Sequence, residues 1–138
     1  MATTLNSAAS LGEWLRRELE GTPPDVNHML RVIARETDRW FLSKEAKASI
    51  PELTEQPVDT GDQRWNALLE GVVAYRMHIA GMSSPAWTRR TKLDVGWNPR
   101  DDSETPQSPQ WALLDTFETP VEILEKGVTY SYRNMELA

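Results

Sequence analysis

The residues that could support metal chemistry are few in this chain. It contains two histidines, His28 and His78, and no cysteine. A metal site would need both histidines together with a carboxylate such as Asp25 or Glu70, yet no H-x-x-x-H or H-E-x-x-H spacing occurs. Isolated histidines on helix faces are common, so we expect no metal ion and no other cofactor.

Signatures of covalent catalysis do not occur either. Nucleophilic catalysis needs a serine or threonine beside a base, whereas the serines here fall at predicted caps and loop edges, as Ser10, Ser84 and Ser108 do. The sequence has no G-x-S-x-G elbow and no glycine-rich phosphate loop. We therefore assign no catalytic residue and favour a non-enzymatic protein; an unrecognised enzyme stays open as an alternative.

Arg76 is the first candidate binding residue. It falls inside the apolar stripe of a predicted helix, between Leu69 and Ile79. A buried guanidinium needs a carboxylate or carbonyl partner, so Arg76 is interpreted as part of a structural ion pair, or as an arginine that reaches water at the helix end. A second hypothesis places Arg76 at the base of a pocket for an anionic small ligand.

A candidate binding patch lies in residues 81–97, where three basic residues oppose one acidic residue. Its binding residues are Trp87, Arg89, Arg90 and Trp97. Aromatic residues beside arginine are typical of protein interfaces and also suit stacking on single-stranded nucleic acid. The alternative is that both tryptophan rings hold a long loop against the core.

Composition limits the class of protein. The chain has 138 residues, of which 39% are hydrophobic and 26% charged, so we expect one domain over residues 1–138, with a frayed lead at 1–9. Its net charge of −6 leaves no broad basic footprint, so double-stranded DNA is not an expected partner.

No run approaches the roughly 20 apolar residues of a membrane span. The lack of cysteine and of a signal peptide favours the cytoplasm.

Apolar periodicity predicts two long helices in the first third of the chain. The first should cover residues 11–20, with Ser10 as its cap and a left-handed Gly21 at its end. Asp25 should cap the second helix, which the pattern continues through residue 47.

A third helix is predicted after Thr60 and Gln63, which have the spacing of a capping box. Its apolar face runs to Ile79, and Gly81 should end it. The opposite side is lined by small residues, which let a second backbone approach closely. They are Ala67, Gly71 and Ala74. We therefore predict a central helix packed on two sides.

The last third of the chain is less regular. Residues 91–109 are predicted to form a long loop, followed by short helices after Ser108 and Thr119. Gly127 should end the last of them, and the alternation over residues 128–132 predicts a short strand or hairpin. The expected fold class is thus mainly α: a single-domain, bundle-like fold with several short helices.

Three segments resemble an uncharacterised family of actinobacterial proteins. They are TGDQRWNALLEGVVAYRMHIAGMSSPAW (60–87), WNP (97–99) and TPVEILEKGVTYS (119–131). Members often carry an Xre-type helix-turn-helix before this region and look like antitoxins or regulators. This chain differs in having Ile123 where relatives often carry an aromatic residue, and we expect no helix-turn-helix ahead of the matching region.

The resemblance implies a protein-interaction or regulatory domain of antitoxin-like character. Its expected partner is a protein, either a second copy of the chain or a cognate toxin-like protein. The first alternative is a small-ligand-binding domain, with an anionic-ligand pocket around Arg76 between the third helix and the long loop. The second is the unrecognised enzyme.

Overall fold

The structure, a computed structural model, describes residues 7–21, 24–42, 55–102 and 108–136. In these ranges the chain is mainly helical, as predicted, and forms no strand. Six α-helices occur there: α1 (Ala8–Leu19), α2 (Val26–Leu42), α3 (Gln63–Ile79), α4 (Pro109–Phe117), α5 (Val121–Leu124) and α6 (Tyr132–Glu136). Two 3-10 turns, Ala86–Arg89 and Pro99–Asp102, lie between α3 and α4.

Helix α1 begins three residues earlier than predicted because Ser7, not Ser10, is its cap. The Ser7 hydroxyl accepts a hydrogen bond from the Ser10 amide at 3.1 Å, and the Ser10 hydroxyl accepts one from the Ser7 amide at 3.2 Å. This is a capping box in which a second serine replaces the usual glutamate. Residues 8 and 9 are therefore helical, and the rest of the predicted lead, residues 1–6, lies outside the described ranges.

Helix α2 is capped by Asp25, as predicted. The Asp25 carboxylate accepts a hydrogen bond from the His28 amide at 3.1 Å. The predicted extension over residues 43–47 lies outside the described ranges. The described residues of α2 that are buried against the core are Val26, Met29, Leu30, Val32, Ile33, Ala34 and Thr37.

Helix α3 lies at the centre of the molecule. Its cap is Asp62, which accepts a hydrogen bond from the Arg64 amide at 2.9 Å. The predicted cap Thr60 is wrong, because its hydroxyl bonds to the Asn66 side chain at 2.6 Å. Every residue from Trp65 to Ala74 is buried, so α3 is enclosed on all sides over this stretch.

The small-residue side of α3 receives α5, which confirms the predicted close approach. A Cβ placed on Gly71 would lie 3.0 Å from the Ile123 Cα and 3.2 Å from the Glu122 carbonyl oxygen. Backbone atoms cannot rotate away as a flexible side chain can. Gly71 therefore sets the distance between the two helices. Gly81 and Gly127 have positive φ after α3 and α5, whereas Gly21 does not.

The predicted C-terminal strand or hairpin is wrong. Val128 forms a single parallel bridge with Trp97, and the chain turns into α6 four residues later. The Thr129 amide donates to the Trp97 carbonyl at 3.0 Å as part of this bridge, but side chains accept from the two amides after it and the ladder does not continue. The Tyr130 amide donates to the Thr119 hydroxyl at 2.8 Å, and the Ser131 amide donates to the Asp115 carboxylate at 3.0 Å.

A buried ion pair joins α3 to the loop that follows it and to the turn that follows α5. The Glu70 carboxylate accepts a hydrogen bond from the Lys126 ammonium at 3.1 Å, and both side chains are almost fully buried. Thr91 donates to the same carboxylate twice, from its amide at 2.8 Å and from its hydroxyl at 2.6 Å. Lys126 also donates to the Thr91 carbonyl at 3.0 Å, so three distant segments meet at one carboxylate.

We expect the Gly71→Val variant to be less stable than the wild type by about 1–3 kcal/mol, because the added side chain would overlap the α5 backbone. Urea denaturation measures the change. Gly96→Val is the control, since a Cβ there meets only the Gly127 carbonyl oxygen at 3.9 Å. Equal stability of the two variants would contradict close packing at Gly71.

We expect Lys126→Met to cost about 3–5 kcal/mol, because it leaves the Glu70 carboxylate buried without its main counter-charge. The double variant with Glu70→Met should lose less than the sum of the two single losses. A double-mutant cycle from urea denaturation gives this coupling. Strictly additive losses would show that the ion pair does not act as a unit.

Candidate interaction surface

Helix α4 is oriented with its apolar side outward. Ser108 caps it and Pro109 occupies its first turn, as predicted. Within α4, all of which is described, Asp115 is the one buried residue. Four large apolar side chains face solvent instead: Trp111, Leu113, Leu114 and Phe117. No other helix of the described ranges packs extensively on α4.

Asp115 fastens α4 to the body of the protein by hydrogen bonds. Its carboxylate accepts from the Asn98 side chain at 2.8 Å, the Ser131 amide at 3.0 Å and the Asn134 side chain at 3.3 Å. Its carbonyl accepts from the Thr119 hydroxyl at 2.6 Å. A buried carboxylate with this many donors is well satisfied, so α4 is held without burying its apolar residues.

The large apolar residues of α4 form one exposed surface, which we call the α4 stripe: Trp111, Leu113, Leu114 and Phe117. At 3.6 residues per turn, the four side chains lie within an arc of about 160°. Leu114 is three residues from both Trp111 and Phe117, and Leu113 is four residues from Phe117, so these pairs are neighbours on the helix surface. Trp111 is 59% exposed and Phe117 79% exposed. Val121 and Leu124 of the adjoining α5 are exposed as well.

A cleft of about 400 Å³ adjoins the α4 stripe. Trp111 and Leu114 form its apolar wall. Its polar wall includes Arg133, which pairs with Glu118 at 2.7 Å, and Arg100, whose guanidinium donates to the side-chain Oδ1 of Asn134 at 2.5 Å. The surface therefore has an apolar ridge beside a pocket with a polar wall.

The residues of the predicted binding patch divide between the core and the surface. Trp87 and Trp97 are both buried, so neither ring is presented to a partner. Trp97 packs edge-on against Trp65, with ring centres 5.4 Å apart, and donates from Nε1 to Asp102 at 3.0 Å. The Arg64 guanidinium lies 5.1 Å from the Trp97 ring centre. These contacts match the alternative in which the rings hold the loop to the core.

The two arginines of this patch differ from each other. Arg89 is exposed and donates to the Ser84 hydroxyl at 3.2 Å. The Arg90 guanidinium reaches the buried Glu70 carboxylate at 3.4 Å. Changing Arg90 to glutamate would place a second carboxylate beside Glu70. That substitution would therefore disturb the core as well as the surface.

Arg76 lies largely inside the protein, with 12% of its side chain exposed. Its guanidinium donates to the Thr37 hydroxyl at 3.2 Å, the Asp38 carboxylate at 3.2 Å and the Ala34 carbonyl at 2.9 Å. These acceptors all belong to α2. The geometry is that of an ion pair and hydrogen-bond cluster that joins α3 to α2.

The two histidines lie on different helices, His28 on α2 and His78 on α3. His28 packs edge-on against Trp14, and His78 contacts the Glu122 carboxylate. Among residues 7–21, 24–42, 55–102 and 108–136, no three His, Cys, Asp or Glu side chains are grouped so as to hold a metal ion.

A larger cleft, of about 750 Å³, lies where the ends of α1 and the start of α3 meet the 3-10 turn Pro99–Asp102. Its lining includes Trp65, Arg16 and Asp59. Hydrogen bonds from Asn66 and the Gly61 amide hold the pKa of Asp59 below its ordinary value, so that this carboxylate stays charged. The cleft borders α3 and the long loop, as the ligand-binding alternative requires, but Arg76 is not part of its lining.

Comparison of the chain with protein-family models, curated proteins and solved structures finds no match. None of the helices in the described ranges combines the length and apolar character that a membrane crossing requires.

The α4 stripe is the feature that sequence reasoning missed. The sequence predicts a short helix through these four residues but does not indicate which of its sides faces the core. The available signal was Asp115, a carboxylate within an otherwise uncharged helix. Its burial depends on donors from residues 98, 131 and 134, and no local pattern reveals those contacts.

We expect Arg76→Ala to destabilise the protein by about 1–3 kcal/mol, because it leaves acceptors on α2 without their donor. Urea denaturation gives the change. Arg89→Ala, which removes an exposed arginine, should stay within about 0.5 kcal/mol of the wild type. An Arg76→Ala variant as stable as Arg89→Ala would show that the cluster does not stabilise the fold.

Proposed function

We propose that this chain is a non-enzymatic protein-interaction domain whose contact surface is the α4 stripe. The observation that supports this proposal is the orientation of α4, which buries its one carboxylate and exposes its large apolar residues. Contiguous exposed apolar patches of about a few hundred Å² are often sites of protein contact. A protein partner would bury the α4 stripe.

The size of the stripe fits a protein interface. Taking about 200 Å² for a fully exposed aromatic side chain, Trp111 and Phe117 together expose roughly 250 Å². This is a substantial share of the roughly 800 Å² that each partner contributes to a standard interface. Aromatic residues are also enriched among those that dominate binding energy.

The role we propose for the interaction is regulatory and antitoxin-like, in the cytoplasm. The resemblance carried by the RWNALL and TPVEIL segments supports this role. In the structure those segments lie in α3 and at α5, outside the α4 stripe itself. Arg76 and Arg90 contribute to the fold in this proposal, through α2 and Glu70.

The ligand-binding alternative rests on the cleft of about 750 Å³ beside Trp65. Its lining carries more acidic than basic residues, so it would suit a cationic ligand better than an anionic one. The carboxylates there already accept internal hydrogen bonds, as Asp59 and Asp62 do. The apolar side chains of the α4 stripe, by contrast, are not buried against the rest of the described chain. We therefore favour the interaction domain.

The test is affinity capture of the tagged full chain from cytoplasmic extract. We expect one stoichiometric protein to be lost in Phe117→Glu, because a charge within an apolar contact is costly to bury. Val95→Glu is the matched control, since Val95 and Phe117 are both 79% exposed and Val95 lies in the long loop. Equal capture by both variants, with unchanged circular dichroism, would contradict the proposal.

A further inference from the structure

A small cleft of about 190 Å³ lies between α2, the 3-10 turn Pro99–Asp102 and the chain that runs into α6. All three segments contribute to its described lining, which consists of Asn27, Leu30, Arg31, Arg100, Tyr130 and Asn134. Two of these residues are arginines and none is a carboxylate. Because the whole chain carries a net charge of −6, a cleft with a positive described lining differs from the acidic protein around it.

Arg31 supplies the exposed charge of this cleft. It lies on α2, faces solvent and forms no ion pair with any residue in the described ranges. The residues three and four positions away on the helix include no carboxylate that could pair with it. Arg39, by contrast, pairs with Glu36 on the same helix at 2.6 Å. The Arg31 guanidinium can therefore pair with an anion from solution.

Arg100 is oriented by the fold. Its guanidinium donates to the side-chain Oδ1 of Asn134 at 2.5 Å, and its backbone amide donates to the Asn98 side chain at 2.9 Å. Asn134 in turn donates to the buried Asp115 carboxylate at 3.3 Å, and Asp115 is not part of the described lining. The second charge of the cleft is thus positioned before any ligand binds, which lowers the entropic cost of binding.

Tyr130 adds a buried hydrogen-bond donor. The residue is 2% exposed, and its hydroxyl has no hydrogen-bond partner among the described residues. Buried tyrosine hydroxyls usually have a partner, because a buried donor without one is costly. Burial raises the pKa of this phenol, so the hydroxyl stays protonated and can donate. Since Tyr130 lines the cleft together with two arginines, the fitting partner is a negatively charged acceptor.

The donors of this cleft fit a phosphate group better than a carboxylate. They come from three separate segments, whereas a carboxylate offers two oxygens in one plane. Two guanidinium charges match a phosphate monoester, which carries a charge of about −1.5 to −2 at pH 7. The volume of about 190 Å³ is smaller than the roughly 300–1,000 Å³ of a complete small-molecule site. The cleft therefore suits one charged group.

We propose that this cleft binds a phosphate group, with Arg31 and Arg100 pairing with its oxygens and the Tyr130 hydroxyl donating to it. The group is either inorganic phosphate or the phosphate of a small organic monoester. Arg100 and Asn134 also line the cleft of about 400 Å³ beside Trp111, where the organic part of a monoester would lie. The proposal does not depend on the function proposed for the α4 stripe.

Isothermal titration calorimetry of the purified full chain, at constant ionic strength, tests the proposal. Inorganic phosphate should bind with one-to-one stoichiometry, and acetate should bind about tenfold more weakly or less. Arg31→Gln should weaken phosphate binding by about tenfold, through the loss of one charge-assisted hydrogen bond. Arg35→Gln is the matched control, because Arg35 is also exposed on α2 but is not in the described lining. Its phosphate affinity should equal that of the wild type.

Tyr130→Phe distinguishes a ligand-binding hydroxyl from a structural one. The variant should weaken phosphate binding by about tenfold. The urea midpoint should not fall, because the hydroxyl has no partner in the described ranges. Wild-type affinity in Tyr130→Phe, equal affinities of the Arg31→Gln and Arg35→Gln variants, or no phosphate binding at all would overturn the proposal.

Phenyl phosphate identifies the source of the phosphate group. Tighter binding than that of inorganic phosphate, lost in Trp111→Ala, would assign the site to an organic monoester. Equal affinity of the two compounds would assign it to inorganic phosphate, and both results support the phosphate site. Failure of the phosphate site would leave the proposed function intact, because capture through Phe117 is measured separately.

Discussion

The buried carboxylate of Glu70 determines how the second half of the chain is arranged on the first. It lies in the middle of α3, where it accepts hydrogen bonds from Lys126 and twice from Thr91. A charge in this environment is tolerated only when it is paired and hydrogen-bonded. The loop after α3 and the turn after α5 must therefore both reach Glu70. The bridge between Trp97 and Val128 then forms because these two segments already lie side by side.

The arrangement of α4 depends on a second buried carboxylate. Asp115 replaces the usual apolar contacts of a short helix with hydrogen bonds to residues 98, 131 and 134. Burial of the adjacent Tyr130 raises the pKa of its phenol, which stays neutral and adds no charge to this region. Because polar groups hold α4 in place, its apolar residues need not contribute to the core. Asp115 holds the helix, and the apolar residues of the α4 stripe stay exposed, where a partner could contact them.

The helical class, the long helices and the close contact at Gly71 could be predicted from local patterns, because amphipathic spacing and small residues act over a few turns. The C-terminal strand could not be excluded in this way. The alternation over residues 128–132 is present, but Thr119 and Asp115 take the amides that a ladder would need. The position of Arg76 within an apolar stripe indicates that its guanidinium needs an acceptor, and the structure places acceptors on α2 beside it. The burial of Trp87 and Trp97, and the exposure of α4, depend on contacts between distant segments that single-sequence patterns do not contain.

The sequence separation between Glu70 and Lys126 also affects how the chain folds as it is synthesised. Lys126 is 56 positions beyond Glu70. While the ribosome is still adding those residues, α3 has neither the ammonium that neutralises its carboxylate nor the α5 backbone that covers Gly71. The early helices then expose apolar surface that is buried only once residue 126 has emerged. We therefore expect this domain to complete its core only after residue 126 has left the ribosome, and until then chaperones can bind the α1–α3 segment.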